Sequence, residues 1–318
     1  MIGNTPMIKI KYRYKGIEKS VYVKLESYNL TGSIKDRVAY YILNKAKERG
    51  ELKPGMPIVE ATSGNTGISL AALAAHYHHP CHIYMPDWVS VERMRLMKLF
   101  GADVTLYSKE EGGFSKCIEA AKQYAKEQNG FLANQFSNPD NVLAHYETTG
   151  KEIVNSIHSI DGFVSGIGTG GTLMGIAKRI LEENPQATIC ALEPDTMALL
   201  SGGIVSSHKI EGIGDDFIPD IVNQNQIDQV ITIRDTDAIQ MARKLGRELG
   251  LGVGISSGAN LLGAILLEEK IGGTIVTVFP DDNKKYLTTD LASQEDMDAP
   301  ISNQVELLDY QVVLDCVN

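Results

Sequence analysis

Lys35 stands in Thr31-Gly32-Ser33-Ile34-Lys35-Asp36-Arg37, where a helical pattern begins. A cation in a first helical turn faces the positive end of the helix dipole, normally a small cost. That cost becomes useful if the amine has to be partly neutral, because an amine is a nucleophile only after losing its proton. Two more segments have residue types and spacing suited to chemistry. They are Thr62-Ser63-Gly64-Asn65-Thr66-Gly67 and Gly166-Ile167-Gly168-Thr169-Gly170-Gly171-Thr172. Each follows a β-type run and opens a helical pattern, so each can turn backbone N–H groups and a positive dipole end toward an anion. A primed lysine with two anion-binding helix starts predicts a Schiff-base enzyme that holds a phosphorylated cofactor and a carboxylate.

Each loop has a rival reading. Gly166, Gly168 and Gly171 also satisfy G-x-G-x-x-G, and Glu193 ends the next strand where a ribose-binding acid belongs, as in a dinucleotide-binding oxidoreductase. Against that stands the rest of the chain, which offers no obvious hydride-transfer acid and does offer Lys35. Thr62 to Gly67 suits an amino-acid carboxylate, or is an ordinary helix cap with Ser63 or Asn65 as the capping residue. Gly254-Ile255-Ser256-Ser257-Gly258 opens a further helix, with a serine that either caps it or meets a heteroaromatic nitrogen.

The elements that must position these groups alternate between strand and helix. Val21 to Leu25, Pro57 to Glu60, His82 to Met85, Asp103 to Tyr107, Phe163 to Ser165, Thr188 to Leu192 and Thr274 to Phe279 read as strands. Asp36 to Arg49, Thr66 to His76, Val91 to Phe100, Phe114 to Gln128, Val142 to Ser156, Thr172 to Glu182 and Asp235 to Leu249 read as helices. The pattern predicts an α/β fold of two domains, each a twisted, mostly parallel sheet flanked by helices, with the ligand in the cleft between them. The expected division is a smaller mobile domain at 30–139, a larger cofactor-binding domain from 1–29 and 140–292, and an acidic tail at 293–318. That tail turns apolar again from Val305 to Val317 and fits an extra strand, a dimer contact or a frayed end alike.

Composition narrows the partners. The chain has 318 residues, 43% hydrophobic and 22% charged, with a net charge of −10. That balance supports a packed core and argues against nucleic acid, whose phosphates need clustered Lys and Arg. The basic stretch Lys9 to Lys19 alternates with Ile10, Tyr12 and Tyr14, as one solvated face of a hairpin does. Cys81, Cys117, Cys190 and Cys316 show no metal-ligand spacing. Neither a signal-type leader nor a membrane-length apolar run is visible, so the cytoplasm is the expected address.

Taken in order, Ile2 to Pro6, Lys35 in Ser-Ile-Lys-Asp-Arg, Thr62 to Gly67, Gln135-Phe136-Ser137-Asn138-Pro139, Gly168 to Thr172 and Gly254 to Gly258 resemble the cysteine synthase family. This is the cysteine synthase and cystathionine β-synthase branch of the fold-type II pyridoxal-phosphate enzymes. The resemblance runs from about Ile2 to Leu291. It implies that Lys35 binds pyridoxal 5'-phosphate covalently and later moves protons at Cα. Asn65 would hydrogen-bond the ring hydroxyl oxygen, and Gly168, Thr169, Gly170, Gly171 and Thr172 would hold the phosphate. Ser256 would meet the pyridine nitrogen, while Thr62, Ser63, Asn65, Thr66 and Gln135 would grip the substrate carboxylate. A neutral serine leaves the ring a weaker electron sink than an aspartate would, which suits rapid loss of a β-substituent rather than transamination. The implied reaction is β-replacement on a serine- or cysteine-type amino acid through an aminoacrylate intermediate, usually O-acetylserine with sulfide giving cysteine and acetate, in a homodimer.

Two departures matter. Where the family often carries small residues, this chain has Gly212-Ile213-Gly214-Asp215-Asp216-Phe217. A carboxylate near the cleft repels hydrosulfide but can serve as general base toward water. Asp215 and Asp216 are therefore either turn acids facing solvent, or one of them is the general base of a sulfide-releasing cysteine lyase, giving serine or, by elimination, pyruvate. Pro280-Asp281-Asp282-Asn283-Lys284-Lys285-Tyr286 likewise replaces a Ser-Gly-Glu-Arg type of sequence and changes the charge on the ring side of the cofactor.

Overall fold

The computed structural model describes residues 1–293, 295 and 297–313; Asp296 and Cys316 lie outside them. Two sheets organise the chain. The smaller has four parallel strands in the order β5-β4-β3-β6, formed by β3 (Ile58–Ala61), β4 (Cys81–Pro86), β5 (Asp103–Tyr107) and β6 (Phe131–Leu132). The larger has seven strands in the order β11-β1-β2-β10-β7-β8-β9. Its members are β1 (Met7–Tyr14), β2 (Ile17–Leu25), β7 (Gly162–Gly166), β8 (Thr188–Pro194), β9 (Gln229–Ile233), β10 (Ile275–Phe279) and β11 (Val305–Val313). From β2 through β10, β7 and β8 to β9 every pairing is parallel, and β1 pairs antiparallel with both β2 and β11. Parallel strands must be covered on both faces, which is why β3 and β10 are buried along their whole length.

The basic hairpin forms as its alternation predicts. Ile10 and Tyr12 are fully buried while Lys11 between them is exposed. Of the apolar tail, Val305–Val313 becomes β11, laid along β1; the rest of it lies outside the described residues. One helix differs from expectation: the run from Val142 to Ser156 is α5 (Pro139–Ala144), a wide turn of helix over His145–Gly150, and α6 (Lys151–Ser156). Such widened turns insert an extra residue and re-aim side chains, often near ligands. The strands β6 and β9 have no strong period in the sequence and fall outside the predicted set.

The opening motif is a structural anchor. Arg37, on α1 (Lys35–Glu48), is almost fully buried and ion-paired to Glu26 and Glu152, each at 2.6 Å. Thr5 donates its hydroxyl to Glu26 at 2.7 Å, Asn4 its N–H to Glu152 at 2.9 Å, and Gly3 its N–H to Asn29 at 2.8 Å. The first residues of the chain are thus tied to the helix that begins at Lys35. Removing one member of a buried, hydrogen-bonded ion cluster leaves unpaired charge in a dry place. Arg37→Ala is expected to lower unfolding free energy by about 3–5 kcal/mol, read from the urea midpoint at unchanged slope.

Candidate active site

Strand ends place the functional groups. Thr62 follows β3, the glycine loop follows β7, and Pro280-Asp281 follows β10, so all three emerge at carboxyl ends of parallel strands. They face one cleft of about 760 Å³, lined among others by Lys35, Asn65, Thr172, Asp215 and Ser256. Every residue that the sequence motifs assign to cofactor or substrate lines this cleft except Gly171, which opens the helix behind it. The remaining glycines line it directly.

Lys35 is the first residue of α1, held against the end of β10 by the Ile34 N–H, which donates to the Pro280 carbonyl at 2.8 Å. Burial in the cleft brings the Lys35 amine down to about 8, against the opposing pull of the Asp215 and Asp281 carboxylates. Near neutral pH an appreciable fraction is therefore uncharged and nucleophilic. Asp215 shows the converse. Burial, with the nearby charge of Asp216, lifts its carboxyl to about 6, and Lys35 pulls it back. Asp215 is half-buried and Asp216 is exposed, both at the cleft.

The glycine loop is built as an anion cradle. A Cβ on Gly168 would lie 2.3 Å from the Gly212 carbonyl oxygen, and one on Gly171 would lie 2.0 Å from Asn141 Oδ1. Gly170 has φ of +87°, which strongly favours glycine. Among the described residues no backbone carbonyl receives the N–H of Gly168, Thr169, Gly170 or Thr172. These open donors lie before and within the first turn of α7 (Gly171–Glu183), the geometry that binds phosphate. Asn141 donates to the Thr169 hydroxyl at 2.9 Å, and Thr172 lies 3.3 Å from the Nε2 of His145. Burial, helped by the charges of Lys35 and Arg37, keeps His145 well below the usual histidine range, hence neutral. His145 comes from the widened turn and carries no mark in the sequence.

The second loop is not a side-chain cap. The residue before α2 (Asn65–Tyr77) is Gly64, and neither Ser63 nor Asn65 caps the helix. Thr66 instead donates its hydroxyl to Gln135 Oε1 at 2.6 Å, while Gln135 donates to the Ala61 carbonyl at 3.0 Å. Likewise Gly254 precedes α9 (Ile255–Ile271), which leaves Ser256 buried in the first turn and free of capping. Asn65 Oδ1 and Asp281 Oδ1 are buried without a partner among the described residues. Open backbone donors on the glycine loop, the orphaned Asn65 Oδ1 and a poised amine line one cleft and together fit a phosphorylated aldehyde cofactor.

Glu193 settles the rival reading of the glycine loop. Its carboxylate accepts the N–H groups of Leu200 at 2.9 Å and Ser201 at 3.0 Å, and the Ser201 hydroxyl at 2.6 Å. It is 3% exposed, so it is turned inward and used up. Sequence reasoning also missed Arg93 on α3 (Val91–Leu99), buried beneath Gly64 and ion-paired to Glu211. With Phe136 packed on Phe217, ring centres 5.0 Å apart, that pair joins the two walls of the cleft.

Comparison with known proteins agrees with this geometry. A family model described as pyridoxal-phosphate dependent enzyme matches residues 1–281. The chain is 40% identical over 300 residues to a cysteine synthase of Staphylococcus aureus, covering 93% of this chain and 96% of that one. Among solved structures, a hydrogen sulfide-producing enzyme from Fusobacterium nucleatum superposes with a TM-score of 0.93 at 53% identity, covering 96% and 94% of the two chains. A cysteine synthase from Entamoeba histolytica superposes at 0.88 with 39% identity, covering 95% and 92%.

Proposed function

The chain belongs to the family of pyridoxal-phosphate-dependent enzymes, and from that premise we propose that it carries out β-replacement on cysteine, with sulfide leaving, water entering and serine as product. The observation that carries this reading is Asp215, a half-buried carboxylate raised to about 6 in the same cleft as Lys35. Near neutral pH it is ionised yet still basic enough to take a proton from water. The 53% identity to a hydrogen sulfide-producing enzyme supports the same direction.

Bound pyridoxal phosphate supplies an electron-accepting ring that lets a Cα proton and then a β-substituent leave. The residues divide the remaining work. The open N–H groups of the Gly168 to Thr172 loop would hold its phosphate, Ser256 would meet its ring nitrogen, and Asn65 would hydrogen-bond its ring oxygen. Thr62, Ser63, Thr66 and Gln135, with Asn65, hold the substrate carboxylate and so orient the bonds at Cα. Lys35 takes and returns the Cα proton. Once the C–S bond has broken and hydrosulfide has left, Asp215 takes a proton from the water that forms the new C–O bond. That proton leaves with the hydrosulfide as hydrogen sulfide, and the charge of Asp216 makes Asp215 the stronger base.

A second reading is synthetic: O-acetylserine and sulfide giving cysteine and acetate, supported by the 40% identity to a cysteine synthase. Either reaction goes with a homodimer in the cytoplasm. Among the described residues no helix is long and apolar enough to cross a membrane. Either also goes with a 30–139 unit that closes on the rest through Arg93 and Phe136, and with a tail that serves the larger sheet. The deciding experiment gives the cofactor-loaded protein cysteine alone. Sulfide with equimolar serine is expected; pyruvate in place of serine means elimination, and absence of sulfide means the synthetic direction.

A further inference from the structure

Asn65 Nδ2 donates to Asp281 Oδ2 at 2.8 Å, and the Tyr286 hydroxyl donates to the same oxygen at 2.7 Å. Asp281 is fully buried, and its other oxygen has no partner among the described residues. A carboxylate accepts and does not donate, so only the nitrogen end of the Asn65 amide can face it. Burial lifts the Tyr286 hydroxyl far above its usual value, so it stays a donor. The two donors on one oxygen leave the carboxylate no freedom to turn.

The surroundings show that this carboxylate is built in. A Cβ on Gly254 would lie 2.0 Å from Asp281 Oδ1, so glycine makes room for it. The Gly254 N–H donates to the Asp281 carbonyl at 3.2 Å, and Ser33 is bridged to Asp281 on the other side. Asp281 thereby touches the approaches to α1, α2 and α9, whose positive ends favour a buried negative charge there.

We propose that Asp281 is a positioning residue that acts through Asn65: it fixes the amide so that the cofactor's ring oxygen always meets the same face of Asn65. This rests on the reading of the cleft as a pyridoxal-phosphate site with Asn65 at the ring oxygen. Without the carboxylate, the amide is free to present either its oxygen or its nitrogen, and the ring oxygen loses a constant partner. A hydroxyl or amide at position 281 could donate or accept and so would not impose one orientation.

The test is a double-mutant cycle read on cofactor binding and on the absorption spectrum of the bound cofactor. Asp281→Asn keeps the shape and removes the one-way acceptor. Asp281→Asn and Asn65→Ala are each expected to weaken cofactor affinity about tenfold, the scale of one hydrogen bond to a charged group. Each is also expected to shift the spectrum, and the double variant to look like Asn65→Ala alone. Additive effects would overturn the proposal, because Asp281 would then act independently of Asn65. So would an unchanged Asp281→Asn. Should Asp281→Asn unfold, Asp281→Ser in the same cycle replaces it, with thermal unfolding of the cofactor-free protein as the check. A wild-type protein that fails to bind pyridoxal phosphate at all would instead sink the reading of the cleft.

Discussion

Lys35→Ala is expected to bind pyridoxal phosphate without anchoring it, and to lose most of its turnover of amino acid. The wild-type protein, reduced with borohydride, should lose its visible band and carry the label on the peptide containing Lys35; the variant should release the cofactor on denaturation. The rate loss should be at least the roughly 10²–10⁴-fold that a positioned acid–base group contributes, since the covalent anchor is lost as well. Stability should not fall, because the substitution removes a buried amine whose charge costs free energy there. The pH dependence of anchoring follows from the same amine. Its value near 8 lies below the ordinary lysine value. Capture of the cofactor by the empty protein should therefore speed up as pH rises toward 8 and level off above it. A capture rate still climbing steeply to pH 10 would show an ordinary, solvated lysine.

Lys35 and the glycine loop are legible in the sequence because backbone sterics act locally. Gly168 and Gly170 are readable as a turn from residue type and spacing alone: the chain must bend there and nothing larger fits. The helix that follows adds its dipole at a known offset. Other parts of the cleft come from contacts that no local pattern encodes. Asn65 and Asp281 are 216 positions apart, and their hydrogen bond exists only because β3 and β10 end at the same cleft. His145 enters through a widened helical turn, where the 3.6-residue period still reads as one uninterrupted helix. Glu193 has the right spacing for a ribose partner, and only its bonds to Leu200 and Ser201 show it turned inward. The same holds for the fold. The alternation of strands and helices gives the layers, but β11 finds β1 across almost the whole chain, and its apolar residues could not name that partner. Of the doubled acids, residue type alone does not say which one faces the chemistry. The fold separates them, leaving Asp216 exposed and Asp215 half-buried beside Lys35.

Asp215→Asn is expected to slow sulfide release from cysteine by about 10²–10⁴-fold, the usual worth of a general base. The cofactor band and its reduction onto Lys35 should survive. Removing the Asp215 charge withdraws one of the two carboxylates that hold up the Lys35 amine, so the amine should fall further below 8 and capture cofactor more readily. Loss of turnover with faster capture separates a missing base from a damaged site. The pH profile gives the sign independently. The base form of Asp215 is lost as pH falls through about 6, so wild-type sulfide release should decline there. In Asp215→Asn that limb should be absent and the residual rate flat across the same window. Asp216→Asn should leave the plateau near wild type and move the limb to lower pH, because the Asp216 charge is one cause of the raised value at Asp215. If Asp216→Asn abolished turnover while Asp215→Asn kept it, the base would be the exposed acid. The water would then approach from the cleft mouth rather than from beside the lysine.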